Sequence, residues 1–420
     1  MSATMAEKIF SRLAGRGVRA GEFVEVAPDW TFSLDDGIGL IEMYLDKHRV
    51  PGLAHPQRVA LFFDHYAPAD TPLHGTIHKK GRDFARKHNI RRLHDVGDGI
   101  SHQVAVETRL VEPGQMAVNT DSHTMTIGAV GAMGMGIGAS EMAFLMTTGK
   151  LWFRVPTTVR IELHGRLSPA VSPKDAILSL IGALTARGAT YKVVEFWGPA
   201  LAELDMASRM TLCNMATELG AKSAMVVPDV RTREFFEQGG ARNLDHLVHP
   251  DSDARYVSSH RLDLGDVQPM VACPHRVDNV KPVGDVLGTP VHQAFLGTCT
   301  NGRFEDLQVA AGLLKGRRIA PGVRFIVTPA SREVYRQALR EGVLEVLSEA
   351  GCTITTAGCG ACAGMHQGAL GDEEVCISSS SRNFLGRMGN RTAFVYLGSP
   401  ATVCASAIAG HIADPRQLLN

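Results

Sequence analysis

Three cysteines carry the strongest chemical signal in the chain: Cys299 in Gly297-Thr298-Cys299-Thr300-Asn301, and the pair in Cys359-Gly360-Ala361-Cys362. Each follows an apolar, strand-like run and sits in a glycine-flanked turn. A C-x2-C with a distant third cysteine, and no fourth at a matching spacing, suits a [4Fe–4S] cluster in which one iron lacks a protein thiolate, since thiolates are the usual ligands of iron–sulfur clusters. That iron would be open to substrate, and an open position turns a metal into a Lewis acid that polarises a carboxylate or hydroxyl. On spacing alone a redox C-x-x-C and a three-cysteine-plus-one zinc site stay open as alternatives.

A second group of residues suits proton transfer. Asp64-His65 ends the apolar run Val59–Phe63, His102 lies in Gly99-Ile100-Ser101-His102, and Asp121-Ser122-His123 opens a glycine-rich stretch. A carboxylate beside an imidazole orients it, fixes its tautomer and raises its basicity, which suits proton transfer to a leaving hydroxyl. Asn214 and Glu218 are spaced i, i+4 and would share one face of a helix. Arg382 and Arg387 offer planar forks for carboxylates or cluster sulfides. Taken singly, a capping Asp, a structural His, surface polarity or a solvated loop would explain each of them. The glycines of 128–141 invite a dinucleotide-loop reading, but position 139 is Ala and Arg160 stands near where a ribose-binding acid is expected, so close backbone packing is the better account. Cys213, Cys273, Cys352, Cys376 and Cys404 sit mostly in apolar surroundings and read as small core residues.

The elements that must hold these residues are clearest after residue 290. Strands are expected at His292–Leu296, Arg324–Val327, Thr353–Thr356 and Thr392–Leu397. Helices are expected at Phe304–Leu314, at Arg332–Ser348 with Ser331 as N-cap, and at Pro400–Ala409 with Ser399 as N-cap and Pro400 at the first position. This alternation implies a mostly parallel α/β sheet. Ligands of such sheets bind beyond the carboxyl ends of the strands, where Cys299 and the Cys359/Cys362 loop both fall. Earlier in the chain, helices are expected at Leu34–His48, His78–His88 and Lys174–Ala186, the last capped by Ser172-Pro173, and a strand at Val159–Leu163. The expected organisation is three α/β domains: 1–156 with the His/Asp motifs, 157–285 with the Asn/Glu site, and 286–420 with the cysteines.

The chain's 420 residues are enough for two or three domains. Its 43 basic and 43 acidic residues cancel, so no basic field argues for a nucleic-acid partner. Eight irregularly spaced cysteines, no apolar signal sequence and no uninterrupted apolar run near 20 residues point to a reducing, cytoplasmic setting without membrane insertion. Lys8, Arg12, Arg16 and Arg19 imitate a transit peptide, but Glu7 and Glu22 interrupt it, so the stretch reads as mature sequence.

Taken together, seven segments in one order resemble the aconitase superfamily nearly end to end, and within it the large subunits of 3-isopropylmalate dehydratase-type isomerases. They are Phe63-Asp64-His65, Asp121-Ser122-His123-Thr124, Gly136-Ile137-Gly138-Ala139-Ser140-Glu141, Asn214-Met215-Ala216-Thr217-Glu218-Leu219-Gly220-Ala221, Gly297-Thr298-Cys299-Thr300-Asn301, Gly358-Cys359-Gly360-Ala361-Cys362-Ala363-Gly364 and Arg382-Asn383-Phe384-Leu385-Gly386-Arg387. The resemblance implies α/β domains arranged around a [4Fe–4S] cluster on Cys299, Cys359 and Cys362, whose unligated iron binds the substrate hydroxyl and a carboxylate without redox turnover. It implies that Asp64, His65, His102, Asp121 and His123 form the acid/base and orienting set, that Glu218 and Asn214 lie near the open iron, and that Ser122, Arg382 and Arg387 serve substrate binding. The implied reaction dehydrates a hydroxy di- or tricarboxylate and rehydrates it with the hydroxyl moved, 3-isopropylmalate in leucine biosynthesis being the first expectation.

Two departures accompany the likeness. Ser381 stands where the family usually has Asn, which affects the choice of substrate more than the chemistry. Single-chain aconitases also carry a swivelling fourth domain with the base serine and substrate-reading arginines, and a separate small subunit is expected to supply those groups here. Homoaconitase and 2,3-dimethylmalate dehydratase-type large subunits are the alternative enzymes. An RNA-binding apo-form is the remote one, disfavoured by neutral charge and the lack of a basic stripe.

Overall fold

A computed structural model of the chain describes residues 2–240, 247–365 and 367–418. They form two compact units: the first comprises Met1–Val96, Ser101–His164 and Ala189–Leu262, the second Gly97–Ile100, Gly165–Gly188 and Asp263–Asn420. Packing thus partitions the chain differently from three consecutive segments. The stretch 157–285 is shared, with 165–188 and 263–285 packing with the carboxy-terminal part.

The first unit contains a five-stranded, all-parallel sheet in the order Arg92–His94, Val59–Phe62, Trp30–Leu34, Met116–Asn119, Met133–Gly136. Its central strands are buried on both faces. Val59 and Leu61 join one core with Met116 and Val118, whereas Ala60 and Phe62 join another with Phe32, Leu34 and Ala117. Burial on both faces is why these strands are continuous apolar runs rather than alternating ones. The strand Met133–Gly136 arises from the glycine-rich stretch, where no strand was expected. Close approach explains the glycines: a Cβ on Gly134 would lie 2.2 Å from the Thr124 carbonyl oxygen, and one on Gly128 only 1.8 Å from that of Ala224. A four-stranded sheet, in the order Ser223–Val226, Val193–Trp197, Thr158–His164, Ser258–Asp263, and the antiparallel ribbon of Phe23–Val26 with Leu151–Arg154 complete this part of the fold.

Helix Asp35–Lys47 matches its expected span, with Leu34 and His48 as the flanking residues. The helix expected at His78 begins six residues earlier, at Pro72, because Thr71 caps the His74 amide and Pro72 occupies the first turn.

The second unit is built on a seven-stranded mixed sheet in the order Val280–Pro282, Met270–Ala272, Phe394–Leu397, Val375–Ser378, Gln293–Gly297, Arg324–Thr328, Thr353–Ile354. The last five strands are mutually parallel, and Met270–Ala272 runs against them. Helices Phe304–Leu314 and Pro400–Ala409 fall where expected. The single helix expected over 332–348 is two, Arg332–Arg340 and Val343–Ala350, broken at Gly342, whose φ of 74° no continuing helix accepts. The strand Val375–Ser378, the central one of the seven, was not anticipated. No described helix is long and apolar enough to cross a membrane.

Candidate active site

In the first unit, Asp35, Asp64 and Asp121 follow the carboxyl ends of three adjacent parallel strands, the place where open α/β sheets bind ligands. Asp64 is fully buried. Its Oδ1 lies 2.7 Å from Nδ1 of His65, and its Oδ2 accepts the Ser101 amide at 2.8 Å. Asp35 supports this pair from behind: it accepts the amides of His65 at 3.3 Å and Tyr66 at 2.9 Å, and lies 3.2 Å from Nε2 of His78, whose ring stacks on Phe63. With Nδ1 held by Asp64, His65 directs Nε2 toward Asp121, 3.8 Å from its Oδ2.

Asp121 caps the turn Ser122–Val130 by accepting the His123 amide at 2.5 Å. Nε2 of His123 lies 3.2 Å from the Glu218 carboxylate. His102 is buried on helix Ser101–Glu107, its Nδ1 3.4 Å from the Ser101 hydroxyl, which in turn accepts from the Asn119 side chain at 3.0 Å. Asn214 and Glu218 do not lie on one α-helix. Helix Met206–Met215 tightens into a 3-10 turn, Ala216–Leu219, yet both residues are buried and both meet the 122–130 turn, Asn214 donating to Thr126 Oγ1 at 2.9 Å. Ser122 is exposed, and its carbonyl accepts from the Thr217 hydroxyl at 3.1 Å.

The carboxylates here are driven apart in acidity. Burial pushes Asp64 up to about 6, against the pull of His65 and the Ser101 amide. Burial also opposes ionisation of Asp121, but the imidazoles of His102, His123 and His65 together with the His123 amide outweigh it and hold Asp121 down at about 2. Asp36 is raised by burial and by neighbouring Asp35 and Asp121. Carboxyls of opposed acidity within one constellation separate a group able to exchange protons near neutrality from one that stays ionised.

In the second unit, the three cysteines and the Arg382–Arg387 segment also follow carboxyl ends of parallel strands. Cys299 lies in the short helix Thr298–Asn301 directly after strand Gln293–Gly297. Thr298 adopts φ 73°, a left-handed conformation that a β-branched residue pays about 1–3 kcal/mol to hold and that is characteristic of functional turns. Cys359 precedes the turn Gly360–Ala363, which contains Cys362. Cys299 packs with Ile100 and Ala330, and Cys359 against the same group.

Cations contact these loops and one of the thiols. Arg387 places Nη2 3.3 Å from Cys362 Sγ. Arg303, 2% exposed, clamps the carbonyls of Cys299 and Thr300. Lys174 is completely buried nearby, and the guanidinium of Arg382 lies 6.0 Å from the Phe384 ring. None of the eight cysteines is in a disulfide. Thiols without disulfides, placed after strand ends with an Arg387 contact to one sulfur and buried cations on the adjoining backbone, are a donor set that suits an anionic thiolate–iron centre. In contrast, burial raises Cys273, Cys352, Cys376 and Cys404, Cys352 to about 12, which keeps them as protonated core thiols.

Sequence reasoning missed Asp35, Ser101, Arg303 and Lys174. Asp35 and Lys174 each stand at the start of a helix, where a polar residue reads as a cap, and only tertiary contacts distinguish them.

Residues 79–290 and 282–410 match the aconitase family (aconitate hydratase). The chain belongs to the aconitase family. This membership makes it an enzyme of the hydro-lyase class. Over 86% of its length it is 50% identical to a probable methanogen homoaconitase large subunit of Methanosarcina mazei, covering 92% of that protein. It is 46% identical over the whole of both chains to a 3-isopropylmalate dehydratase large subunit of Methanopyrus kandleri, and 44% identical, over all of this chain and 98% of the other, to a homoaconitase large subunit of Thermus thermophilus. In fold it resembles the holo-form of Thermococcus kodakaraensis aconitase X, with a TM-score of 0.52 at 12% identity over 92% of each chain.

Proposed function

We propose that this aconitase-family chain is the cluster-bearing large subunit of a hydro-lyase that isomerises 3-isopropylmalate by dehydration and rehydration. The observation that carries this reading is the convergence of Cys299, Cys359 and Cys362 on strand ends of one sheet amid buried cations, in a chain that aligns end to end with large subunits of that name. Cys299, Cys359 and Cys362 would hold a [4Fe–4S] cluster, which when bound supplies a Lewis-acid iron for the substrate hydroxyl and carboxylate.

The chain's own residues account for the rest of the chemistry. Asp64 orients His65 through Nδ1 and leaves Nε2 to exchange a proton. Asp121 stays ionised and holds the His123 amide, while Glu218 faces Nε2 of His123 and so fixes where that ring carries its protons. His102 adds a buried imidazole to the same set, and Asn214 and Ser122 lie on or against the 122–130 turn as polar contacts for substrate. Arg382 and Arg387 supply guanidinium forks for the carboxylates, Arg387 also donating to the Cys362 sulfur. The name large subunit carried by the relatives supports a separate small subunit, and eight cysteines outside any disulfide support a reducing, cytoplasmic setting.

Homoaconitase is the second reading, favoured by the 50% identity to the M. mazei protein. The test is the anaerobically reconstituted chain, alone and with candidate small subunits, assayed on 3-isopropylmalate, homocitrate-type acids and 2,3-dimethylmalate. Turnover of 3-isopropylmalate only with a small subunit is expected. Preference for homocitrate-type acids would transfer the chain to the second reading, and full turnover by the chain alone would refute the two-subunit arrangement.

A further inference from the structure

Lys174 is a cation that none of the family-like motifs contains. It sits in the first turn of helix Pro173–Leu184 and is 0% exposed. Its Nζ donates to the carbonyls of Ser379 at 2.9 Å and Ser380 at 2.6 Å, in the turn that leaves strand Val375–Ser378 toward Arg382. That turn is tied to the strand preceding Cys299: the Ser379 amide donates to Phe295 O at 2.9 Å, and its hydroxyl accepts the Gly297 amide at 3.1 Å. The ammonium is therefore fixed on a scaffold continuous with the cysteine loops.

An ammonium in a dry interior is costly unless opposite charge compensates it. Asp175, its chain neighbour, is committed to the Ser172 amide and hydroxyl and to the Met270 amide. Asp306 accepts from the Asn301 side chain and the Arg303 amide. The cysteines Cys299 and Cys362 add to the pull of these two carboxylates. Burial drives Lys174 down to about 7, against the opposing pull of Asp175, Asp306, Cys299 and Cys362. Two carbonyl dipoles, two carboxylates and the cysteines of the candidate cluster site offset part of that cost, and an anionic cluster on those cysteines would offset more of it.

We propose that Lys174 is a positioning residue whose buried ammonium, held charged beside the anionic cluster that Cys299, Cys359 and Cys362 would carry, raises the reduction potential of that cluster and protects it against oxidative loss of iron. This rests on the cluster reading given above. Net charge around an iron–sulfur cluster is one of the determinants of its potential, and a buried cation favours the more reduced, more negative state. Removing it makes oxidation easier.

The test uses the full chain reconstituted anaerobically with iron and sulfide, as wild type, Lys174→Met, Lys174→Gln and Lys174→Arg. Iron and sulfide content is measured first, and a wild type that binds neither overturns the cluster reading itself. Potentiometric titration followed by electron paramagnetic resonance then reads the one-electron couple. The two neutral variants are expected to titrate at more negative potential and to lose iron several-fold faster under air, with Lys174→Arg close to wild type in both. Neutral variants that load fully and share the wild-type potential overturn the proposal. If the neutral variants fail to load while Lys174→Arg loads normally, the need for charge is upheld, whereas failure of all three assigns Lys174 to packing and overturns it.

Discussion

Replacing Asp64 by Asn should stabilise the first unit while disabling its chemistry, and the structure sets both magnitudes. The carboxyl is fully buried and its pKa rises from 3.8 to about 6, chiefly through burial. A folded-state pKa above the unfolded value means that stability is greatest below 3.8 and is lost as pH rises through about 6. At about 1.4 kcal/mol per tenfold change in acidity, the full difference is about 3 kcal/mol at pH 8 and roughly half of that at pH 5. Asn is neutral at every pH and escapes this loss, while still accepting the Ser101 amide that Asp64 Oδ2 accepts at 2.8 Å. It cannot serve His65 in the same way. Its amide nitrogen would donate to Nδ1, where the carboxylate now lies at 2.7 Å, and the ring proton would move to Nε2. A ring that carries its proton on the wrong nitrogen forfeits a positioned proton transfer, a loss of about 10²–10⁴ in kcat. Urea unfolding of the metal-free wild type and Asp64→Asn chains across pH 5–8, paired with turnover of the reconstituted enzymes, checks both parts. A stability difference that does not grow with pH, or an Asn variant less stable than wild type at pH 8, would refute the burial argument. Retained turnover would refute the role given to the Asp64–His65 pair.

Three further outcomes follow from named contacts. Cys359→Ser and Cys362→Ser should each abolish the brown colour and the iron and sulfide content of anaerobically purified protein, and stoichiometric zinc without iron in the wild type would contradict the cluster reading. His123→Ala, which removes the ring facing Glu218 at 3.2 Å, should lower kcat by about 10²–10⁴ with the cluster absorbance unchanged, whereas unaltered turnover would leave His123 only a structural role. Arg209→Met should cost about 3–5 kcal/mol in urea unfolding, because it strips a fully buried guanidinium from a bidentate pair with Asp229 at 2.8 and 2.6 Å and from the carbonyls of Leu201 and Leu204; a change below about 1 kcal/mol would show that the pair adds nothing net.

The parts of the fold legible in the sequence are those where local and tertiary preferences agree. Helix Pro400–Ala409 combines a Ser399 cap, proline in the first turn and Gly410 in the left-handed conformation at its end, so its bounds follow from local chemistry. The 332–350 stretch misleads because its apolar spacing runs on through Gly342, and a glycine inside a periodic run reads as tolerated until its φ is known. Glu341 closes helix Arg332–Arg340 as its C-cap, so the break between the two helices rests on Gly342 alone. Strand Val375–Ser378 escaped because four residues ending in serine carry little period, although pairing on both sides makes it an interior strand. The strand in Met133–Gly136 was hidden by glycines that exist to let other backbones approach.

For the site, legibility divides along a physical line. Cys359 with Cys362, Asp64-His65 and Asp121-Ser122-His123 stood out as candidates because reactive side chains lie within a few residues of one another near strand ends, and Cys299 because it sits alone in a turn directly after an apolar strand. Asn214 and Glu218 were placed on a shared helical face for a reason the structure replaces: the α-helix gives way to a 3-10 turn between them, and they reach the 122–130 turn from consecutive elements rather than from one stripe. Asp35 and Lys174 were invisible because their local role is an ordinary one. Each lies in the first turn of a helix, where Asp suits the dipole and Lys is unremarked. Their distinguishing property is complete burial against partners 30 residues away for the Asp35–His65 contact and 205 for Lys174–Ser379, a separation that no local pattern encodes. A charge buried at such a distance in sequence persists only where something of opposite charge or strong dipole meets it. For Asp35 that partner is the pair of amides of His65 and Tyr66, and for Lys174 it is two carbonyls, with Asp175, Asp306 and the cysteines of the cluster loops beyond them. The residues that position the chemistry are therefore those least recognisable from their neighbours.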